Sequence, residues 1–202
     1  MSKVIIVLGY VDGLPNIDCD VIGVDYGAHF LAKNHIPMVC AIGDFDSVDT
    51  MEEIQKYAKE IVKLPQMKNE TDCEVAIQWA LDKYDTMDIY GGLGGRMDHE
   101  YANLALLIHR KYPVTYYNAC NKIYRLTSGM HEIQKEDYKY ISFFPLTSGV
   151  ISLSGVVYPL ENVKIDIQDI YLVSNEIVND CMQVVLDGEV LVVQSNDSRN
   201  HL

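Results

Sequence analysis

The sequence is short of basic residues. Its 202 residues include 16 Lys and Arg against 29 Asp and Glu, which gives a formal charge of −13 at pH 7. A surface this acidic repels nucleic-acid phosphates and anionic lipid head groups. We therefore expect no nucleic-acid partner and no membrane partner, and an anionic substrate would need a metal ion or a local cluster of hydrogen-bond donors.

Paired cysteines and long apolar runs are also missing. The five cysteines are scattered, odd in number and nowhere spaced as C-x-x-C, which disfavours a disulfide framework or a zinc site. No stretch approaches the roughly 18 apolar residues of a membrane span, and the N-terminal apolar run is too short for a signal peptide. These absences predict a cytoplasmic protein whose thiols are reduced.

The first 120 residues alternate short apolar runs, rich in β-branched side chains, with helical patterns. Strands are predicted at residues 4–8, 21–24, 39–42, 61–64, 87–90 and 114–117. Helices are predicted at residues 26–34, 49–59, 71–84 and about 99–110, with capping boxes at Asp49/Glu52 and Thr71/Glu74. This alternation predicts an α/β domain, Rossmann-like with a mostly parallel sheet, over residues 1–120.

After Cys120 the helical patterns stop. Strands are predicted at residues 123–126, 140–144, 150–153, 163–167, 171–173, 182–186 and 190–194. Asp187-Gly188 stands between the last two runs and is typical of a two-residue hairpin. We therefore predict an all-β sandwich or barrel domain over residues 121–202.

Two acidic segments follow predicted strands of the first domain. Asp44 and Asp46 would point to the same side of an extended backbone, where paired carboxylates favour a bound cation such as Mg²⁺. The alternative is a polar turn in which Asp46 or Ser47 caps the next helix. Asp72 follows the predicted N-cap Thr71, where the helix dipole alone favours an acid. Its position at a neighbouring strand end would make it a third carboxylate of a metal site.

A glycine-rich loop links a predicted strand to a predicted helix. Gly91, Gly92, Gly94 and Gly95 let backbone N–H groups approach an anion at a helix N-terminus, and Arg96 adds a planar fork suited to phosphate. The alternative is a solvated turn. In α/β sheets, ligands bind at the carboxyl ends of the strands, where these carboxylates and this loop are predicted to lie. Together they predict phosphoryl transfer from a Mg²⁺–nucleotide.

These motifs, in this order, resemble the thiamine pyrophosphokinase (thiamine diphosphokinase) family. The resemblance is carried by residues 25–28, 43–47, 71–72, 91–98, 153–160 and 174–175. It implies transfer of pyrophosphate from ATP to the hydroxyl of thiamine, giving thiamine diphosphate and AMP. It also implies a homodimer, in which thiamine lies between the α/β domain of one subunit and the sandwich of the other.

The resemblance also implies roles for individual residues. Asp44, Asp46 and Asp72 match Mg²⁺-binding and catalytic carboxylates, and Arg96 and Asp98 match the loop that holds phosphates and orients the hydroxyl. The nucleotide contacts would come from Asp25, Gly27, Gly91, Gly92, Gly94, Gly95 and Arg96. The thiamine contacts would come from Asp98, Tyr158, Ser174 and Asn175.

Three questions stay open at this point. Tyr26 and His29 depart from the family pattern, which affects the nucleotide contacts around residues 25–29. Either Asp72 or Asp98 could accept the hydroxyl proton. The alternative functions are a Mg²⁺-dependent phosphohydrolase, which would use the same carboxylates on water, and a non-catalytic nucleotide or thiamine sensor.

Overall fold

The computed structural model describes residues 2–46 and 51–197. The chain forms two compact units, Met1–Ala119 and Cys120–Leu202. No helix in the described part is both long enough and apolar enough to cross a membrane.

The first unit is built on a parallel sheet. Its strands within the described residues are β1 (Lys3–Val7), β2 (Asp20–Val24), β3 (Met38–Gly43), β4 (Ala58–Lys63), β5 (Thr86–Tyr90) and β6 (Val114–Tyr117). They lie in the order β6-β5-β1-β2-β3-β4, and every neighbouring pair is parallel. This confirms the predicted α/β fold with a parallel sheet.

Four helices of the described residues accompany this sheet: α1 (Tyr26–Lys33), α2 (Glu52–Tyr57), α3 (Asp72–Leu81) and α4 (Met97–Ile108). Thr71 is the N-cap of α3, since its hydroxyl accepts the Glu74 N–H at 3.1 Å, as predicted. The predicted helix at 49–59 is too long, because Ala58 is extended and pairs with Met38 in the sheet. Its predicted capping residue Asp49 lies outside the described residues.

The sheet is covered on both faces, which explains its continuous apolar strands. In β1, Val4, Ile5, Ile6 and Val7 are all buried, although successive side chains point to opposite faces. Ile5 and Val7 pack with residues of α1 and α2, including Leu31. Helix α3 contacts β1, β2, β3 and α4, and so covers the other face. Packing on both faces fixes the positions of the strand ends and of the loops that follow them.

The second unit is antiparallel. Its strands within the described residues are β7 (Asn121–Gln134), β8 (Tyr140–Pro145), β9 (Gly149–Ser154), β10 (Leu160–Ile165) and β11 (Cys181–Ser195). Strand β11 pairs with β7 along its length, and its other edge pairs first with β9 and then with β8. Strand β10 pairs with β9. Ile151, Met182 and Val192 lie in the apolar core that these strands enclose.

Two predictions for the second unit are wrong. Asp187-Gly188 is not a hairpin turn but an irregularity within β11, where the register against β7 shifts between Leu186 and Glu189. The Gly188 N–H donates to the Ser128 hydroxyl at 2.8 Å, so the bulge is tied to the partner strand. The predicted strand at 171–173 is irregular backbone, because only its Leu172 carbonyl joins a neighbouring strand, accepting the Phe143 N–H.

Candidate active site

A cleft opens where the strand order of the parallel sheet reverses. The chain passes from β1 through β2 and β3 to β4 on one side, then returns to place β5 and β6 on the other side of β1. Loops that leave the carboxyl ends of β1 and β5 therefore diverge, and ligands bind at such a point in α/β sheets. A cleft of about 770 Å³ lies there, lined in part by Leu8, Gly9 and Gly91.

The cleft brings together most of the predicted site residues of this unit. Those that line it are Asp25, Asp72, Gly91, Gly92, Gly94, Arg96 and Asp98. Gly27, Asp44, Asp46 and Gly95 are not among its lining residues. A Cβ at Gly27 would run into the carbonyl oxygen of Val7, so this glycine lets α1 pack closely on β1.

Asp25 is the carboxyl group most affected by its neighbours. It has a positive φ of 47°, and its backbone N–H donates to the Ile42 carbonyl at 3.0 Å. Burial raises the pKa of the Asp25 carboxyl to about 7, helped by the negative charges of Asp72 and Asp44 and opposed by the Phe45 N–H. Asp25 thus forms an acidic cluster with Asp72 and Asp44. The metal ligands predicted from the sequence did not include Asp25.

The Asp44-Phe45-Asp46 segment is a turn rather than an extended chain. Phe45 has a φ of 55° and is buried, and the Asp46 N–H donates to Asp44 Oδ1 at 3.1 Å. The expectation of an extended backbone at residues 44–46 is therefore wrong. Within residues 2–46 and 51–197, no three His, Cys, Asp or Glu side chains are grouped closely enough to hold a metal ion by themselves. Ser47 lies outside the described residues.

Asp72 stands at the first position of α3 and is paired with a lysine. Lys68 Nζ lies 2.7 Å from Asp72 Oδ1, and the two side chains are 12% and 28% exposed. The prediction from sequence missed this pair, because Lys68 precedes α3 and the i,i+4 rule holds only for residues within one helix. A cation therefore already occupies one side of the Asp72 carboxylate.

The glycine-rich loop is held in place by specific contacts. The Gly91 carbonyl accepts the Tyr10 N–H at 3.1 Å, and the buried Asn103 amide donates to the Gly92 carbonyl at 2.8 Å. The Gly94 N–H donates to Glu100 at 3.1 Å. These contacts fix a loop that composition alone would leave flexible, and the sequence carried no signal for Asn103.

Replacing Gly91 by alanine is expected to destabilise the protein by about 2–3 kcal/mol, because φ is 75° and a Cβ would lie 2.5 Å from the Leu8 carbonyl oxygen. Gly13→Ala is the matched control, since nothing lies within 4 Å of its added Cβ. Urea denaturation of both variants measures the effect. Equal stability of the two variants would contradict the close approach of the Gly91 and Leu8 backbones.

Arg96 and Asp98 form a bidentate pair at the start of α4. Arg96 Nε and Nη2 donate to the two Asp98 oxygens at 3.1 and 2.6 Å, and both side chains are 64% exposed. The Arg96 guanidinium, with help from the His99 N–H, lowers the pKa of Asp98 to about 2. Asp98 therefore orients the arginine fork at the edge of the cleft.

Three of the four predicted thiamine contacts, Tyr158, Ser174 and Asn175, lie in the second unit, and Asp98 lies in the first. Tyr158 is 66% exposed, and its backbone is held by Asn175, whose side chain accepts the Tyr158 N–H at 3.0 Å and donates to the Tyr158 carbonyl at 2.9 Å. Ser174 has a φ of 58°, and its N–H donates to the Ser142 hydroxyl. Tyr158 and Asn175 line a small pocket of about 110 Å³. Asn175, which is buried, thus holds the tyrosine in place.

Comparison with known proteins matches both units to domains of one family. Residues 18–116 match the thiamin pyrophosphokinase catalytic domain, and residues 130–191 match the thiamin pyrophosphokinase vitamin B1 binding domain. A thiamine pyrophosphokinase of Bacillus subtilis is 35% identical over 167 residues, which are 78% of each chain. The chain belongs to the thiamin pyrophosphokinase family.

Solved structures of this family share the fold over the whole chain. A thiamin pyrophosphokinase family protein from Enterococcus faecalis superposes with a TM-score of 0.86 at 27% identity, covering 98% of this chain and 100% of that one. The thiamine pyrophosphokinase from Bacillus subtilis gives 0.85 at 29% identity, covering 97% and 100%. The family and the fold class predicted from the sequence are confirmed.

This member of the thiamin pyrophosphokinase family carries two aromatic rings at residues 26–29. Tyr26 is half exposed and lines the cleft, and its ring centroid lies 5.5 Å from that of His29. The departure from the family pattern at Tyr26 therefore adds an aromatic wall to the cleft.

The raised pKa of Asp25 predicts that the free energy of unfolding of the metal-free protein falls as the pH rises. Because the folded state holds the Asp25 proton more tightly than the unfolded state, this group stabilises the fold least at high pH. The loss begins near the unfolded pKa of about 4 and is complete above about 7. After allowance for solvent screening, Asp25→Asn is expected to raise stability by about 1–2 kcal/mol at pH 8.

Thermal unfolding in EDTA at pH 5 and pH 8 tests this prediction. The gain from Asp25→Asn should be larger at pH 8 than at pH 5, since Asn keeps the shape and tolerates the positive φ of 47°. Asp20→Asn is the control, because Asp20 lies at the other end of β2. A gain that does not change with pH would contradict the buried, crowded carboxyl.

Proposed function

We propose that this chain transfers the pyrophosphoryl group of ATP to the hydroxyl of thiamine, which gives thiamine diphosphate and AMP. The observation that carries the proposal is the cleft at the sheet's reversal point, where Asp25 and Asp72 line the same cavity as the glycine loop and Arg96. Its support is that the unit with this cleft matches a thiamin pyrophosphokinase catalytic domain, and the other unit matches a vitamin B1 binding domain.

The two halves of the chain divide the work in this proposal. Residues 1–120 form the nucleotide- and metal-binding catalytic domain, and residues 121–202 form the thiamine-binding domain. The ATP phosphates lie against the glycine loop, where Gly91, Gly92 and Gly94 line the cleft beside Arg96. Asp25, which follows β2, would also contact the nucleotide. Gly27 and Gly95 support the loops by close packing, Gly95 against the Tyr10 ring.

The acidic cluster fits a Mg²⁺ ion that is shared with phosphate. Burial, together with the charges of Asp72 and Asp44, raises the pKa of Asp25, and oxygen ligands are those that Mg²⁺ takes. In the described residues no three such side chains are grouped closely enough to hold the ion by themselves, so water and phosphate oxygens would have to complete its coordination. Asp44, Asp46 and Asp72 would hold it. When bound, Mg²⁺ neutralises the charge on the phosphate oxygens.

The reaction forms one bond and breaks one. The thiamine hydroxyl oxygen attacks the β-phosphorus of ATP, the bond from that phosphorus to the bridging oxygen of AMP breaks, and AMP leaves with the electron pair. The hydroxyl proton passes to a carboxylate. Because the Arg96 fork lowers the pKa of Asp98 to about 2, Asp98 is a poor proton acceptor. Asp98 positions Arg96.

Thiamine recognition rests on the second unit. The exposed Tyr158 ring suits the cationic thiazolium, and Asn175 holds the Tyr158 backbone in place. Ser174, next to Asn175, would contact the pyrimidine. We propose a cytoplasmic homodimer with thiamine at the subunit interface, and sedimentation tests the dimer. The cysteines, all within the described residues, are thiols, which suits a reducing compartment.

A coupled assay for AMP release tests the function. With ATP and Mg²⁺, AMP should appear only after thiamine is added. Release of ADP or AMP at the same rate without thiamine would indicate a phosphohydrolase. No AMP in either case would indicate a binding protein without transfer activity.

A further inference from the structure

Lys68 is a nearly buried ammonium group that contacts Asp72, a residue that lines the cleft. It lies in the connection between β4 and α3, and its Nζ is 2.7 Å from Asp72 Oδ1. Only 12% of its side chain is exposed, whereas a lysine without a buried partner extends its charge into water. Such burial is costly, so the carboxylate that pairs with Lys68 must compensate it.

The charge around Asp72 explains why a cation is needed there. Asp25 and Asp72 both line the cleft, and Asp25 Oδ1 accepts the N–H of Phe45, the residue after Asp44, at 3.4 Å. Three acidic groups in a partly buried region repel one another unless a positive charge stands between them. In the described residues around this cluster, Lys68 supplies that charge through a direct contact.

We propose that Lys68 is a positioning residue, which serves as the counter-ion of Asp72 in the metal-free protein and competes with a divalent cation for the same carboxylate. The proposal rests on the proposed function only for the presence of a divalent ion at Asp72. The ammonium keeps the Asp72 carboxylate oriented before the metal arrives. When the ion binds, the Lys68–Asp72 contact is given up, and the released ammonium remains beside the phosphate site.

The test measures Mn²⁺ binding to nucleotide-free protein by electron paramagnetic resonance. Lys68→Met removes the charge and keeps the length, so Mn²⁺ should bind about tenfold more tightly, as expected for loss of a competing unit charge at contact distance. Lys68→Arg keeps the charge and should bind Mn²⁺ as the unmodified protein does. Lys33→Met, on the exposed last turn of α1, is the matched control and should change nothing.

Thermal unfolding in EDTA gives a second readout. Lys68→Met should lower the melting temperature by a few degrees, because the three acids then lack their cation. Lys68→Gln is a second neutral variant, to be used if Lys68→Met does not fold. Unchanged or weaker Mn²⁺ binding by the neutral variants would overturn the proposal, and so would the absence of Mn²⁺ binding in every variant.

These measurements do not depend on turnover. If the unmodified protein binds Mn²⁺ and Lys68→Met binds it more tightly, the counter-ion role holds even where no thiamine diphosphate is formed. If thiamine diphosphate is formed but the neutral variants bind Mn²⁺ no more tightly, the proposed function stands and the counter-ion role fails.

Discussion

Replacing Asp72 by asparagine is expected to reduce turnover by at least about a thousandfold, since a metal-bridging carboxylate contributes several kcal/mol to the transition state. Asparagine has the same shape, and the Thr71 hydroxyl still caps α3 through the Glu74 N–H. The variant should therefore keep the fold, although its stability should fall because Lys68 loses its charge partner. Rates of AMP release at saturating ATP and thiamine measure the effect, and far-ultraviolet circular dichroism checks the fold.

Asp82→Asn is the matched control, because Asp82 is an exposed acid at the opposite end of the same helix. It should leave turnover unchanged and stabilise α3 slightly, since an acid at a helix C-terminus is unfavourable. Near-normal turnover by Asp72→Asn would remove the assignment of Asp72 to the reaction, whatever the result for Asp82.

Replacing Asn175 by alanine is expected to cost about 2–4 kcal/mol of stability, because buried polar groups lose their partners. The Asn175 side chain is 7% exposed, and its Oδ1 also accepts the Glu176 N–H at 2.9 Å. The contacts with both backbone groups of Tyr158 would be lost together. Because Tyr158 is then no longer held, the KM for thiamine should rise, while the KM for ATP should stay the same.

Asn179→Ala, an exposed asparagine in the same unit, serves as the control and should change stability by less than about 0.5 kcal/mol. Urea denaturation and steady-state kinetics at varied thiamine provide the two readouts. A variant that loses stability but keeps its KM for thiamine would show that Asn175 supports the fold without positioning Tyr158 for the substrate.

The parallel sheet could be predicted because burial on both faces requires short, continuous apolar runs in the sequence. The runs of β1, β2 and β3 are short, apolar and buried, whereas the edge strand β4 is mostly polar; the strands lie within about three residues of the predictions. The C-terminal unit was harder. Asp187-Gly188 favours a hairpin by local chemistry, but the same residues also suit a bulge, and only the pairing of β11 with β7 decides between them.

The cleft could be located from sequence because strand ends of a parallel sheet share one edge. Asp25, Asp72 and the glycine loop were found by that rule, and the structure places them in one cleft. The tertiary contacts could not be found. Phe45 has a positive φ, so the backbone at residues 44–46 is a turn rather than extended. That conformation depends on the packing of Phe45 in the core. The support of Gly92 by Asn103 joins residues on different elements.

Mass spectrometry of the products formed from ATP, Mg²⁺ and thiamine tests the central claim most directly. We expect thiamine diphosphate and AMP in equal amounts, with no transfer when thiamine is left out. Thiamine monophosphate with ADP, or ADP and inorganic phosphate with unchanged thiamine, would contradict attack at the β-phosphorus by the thiamine hydroxyl.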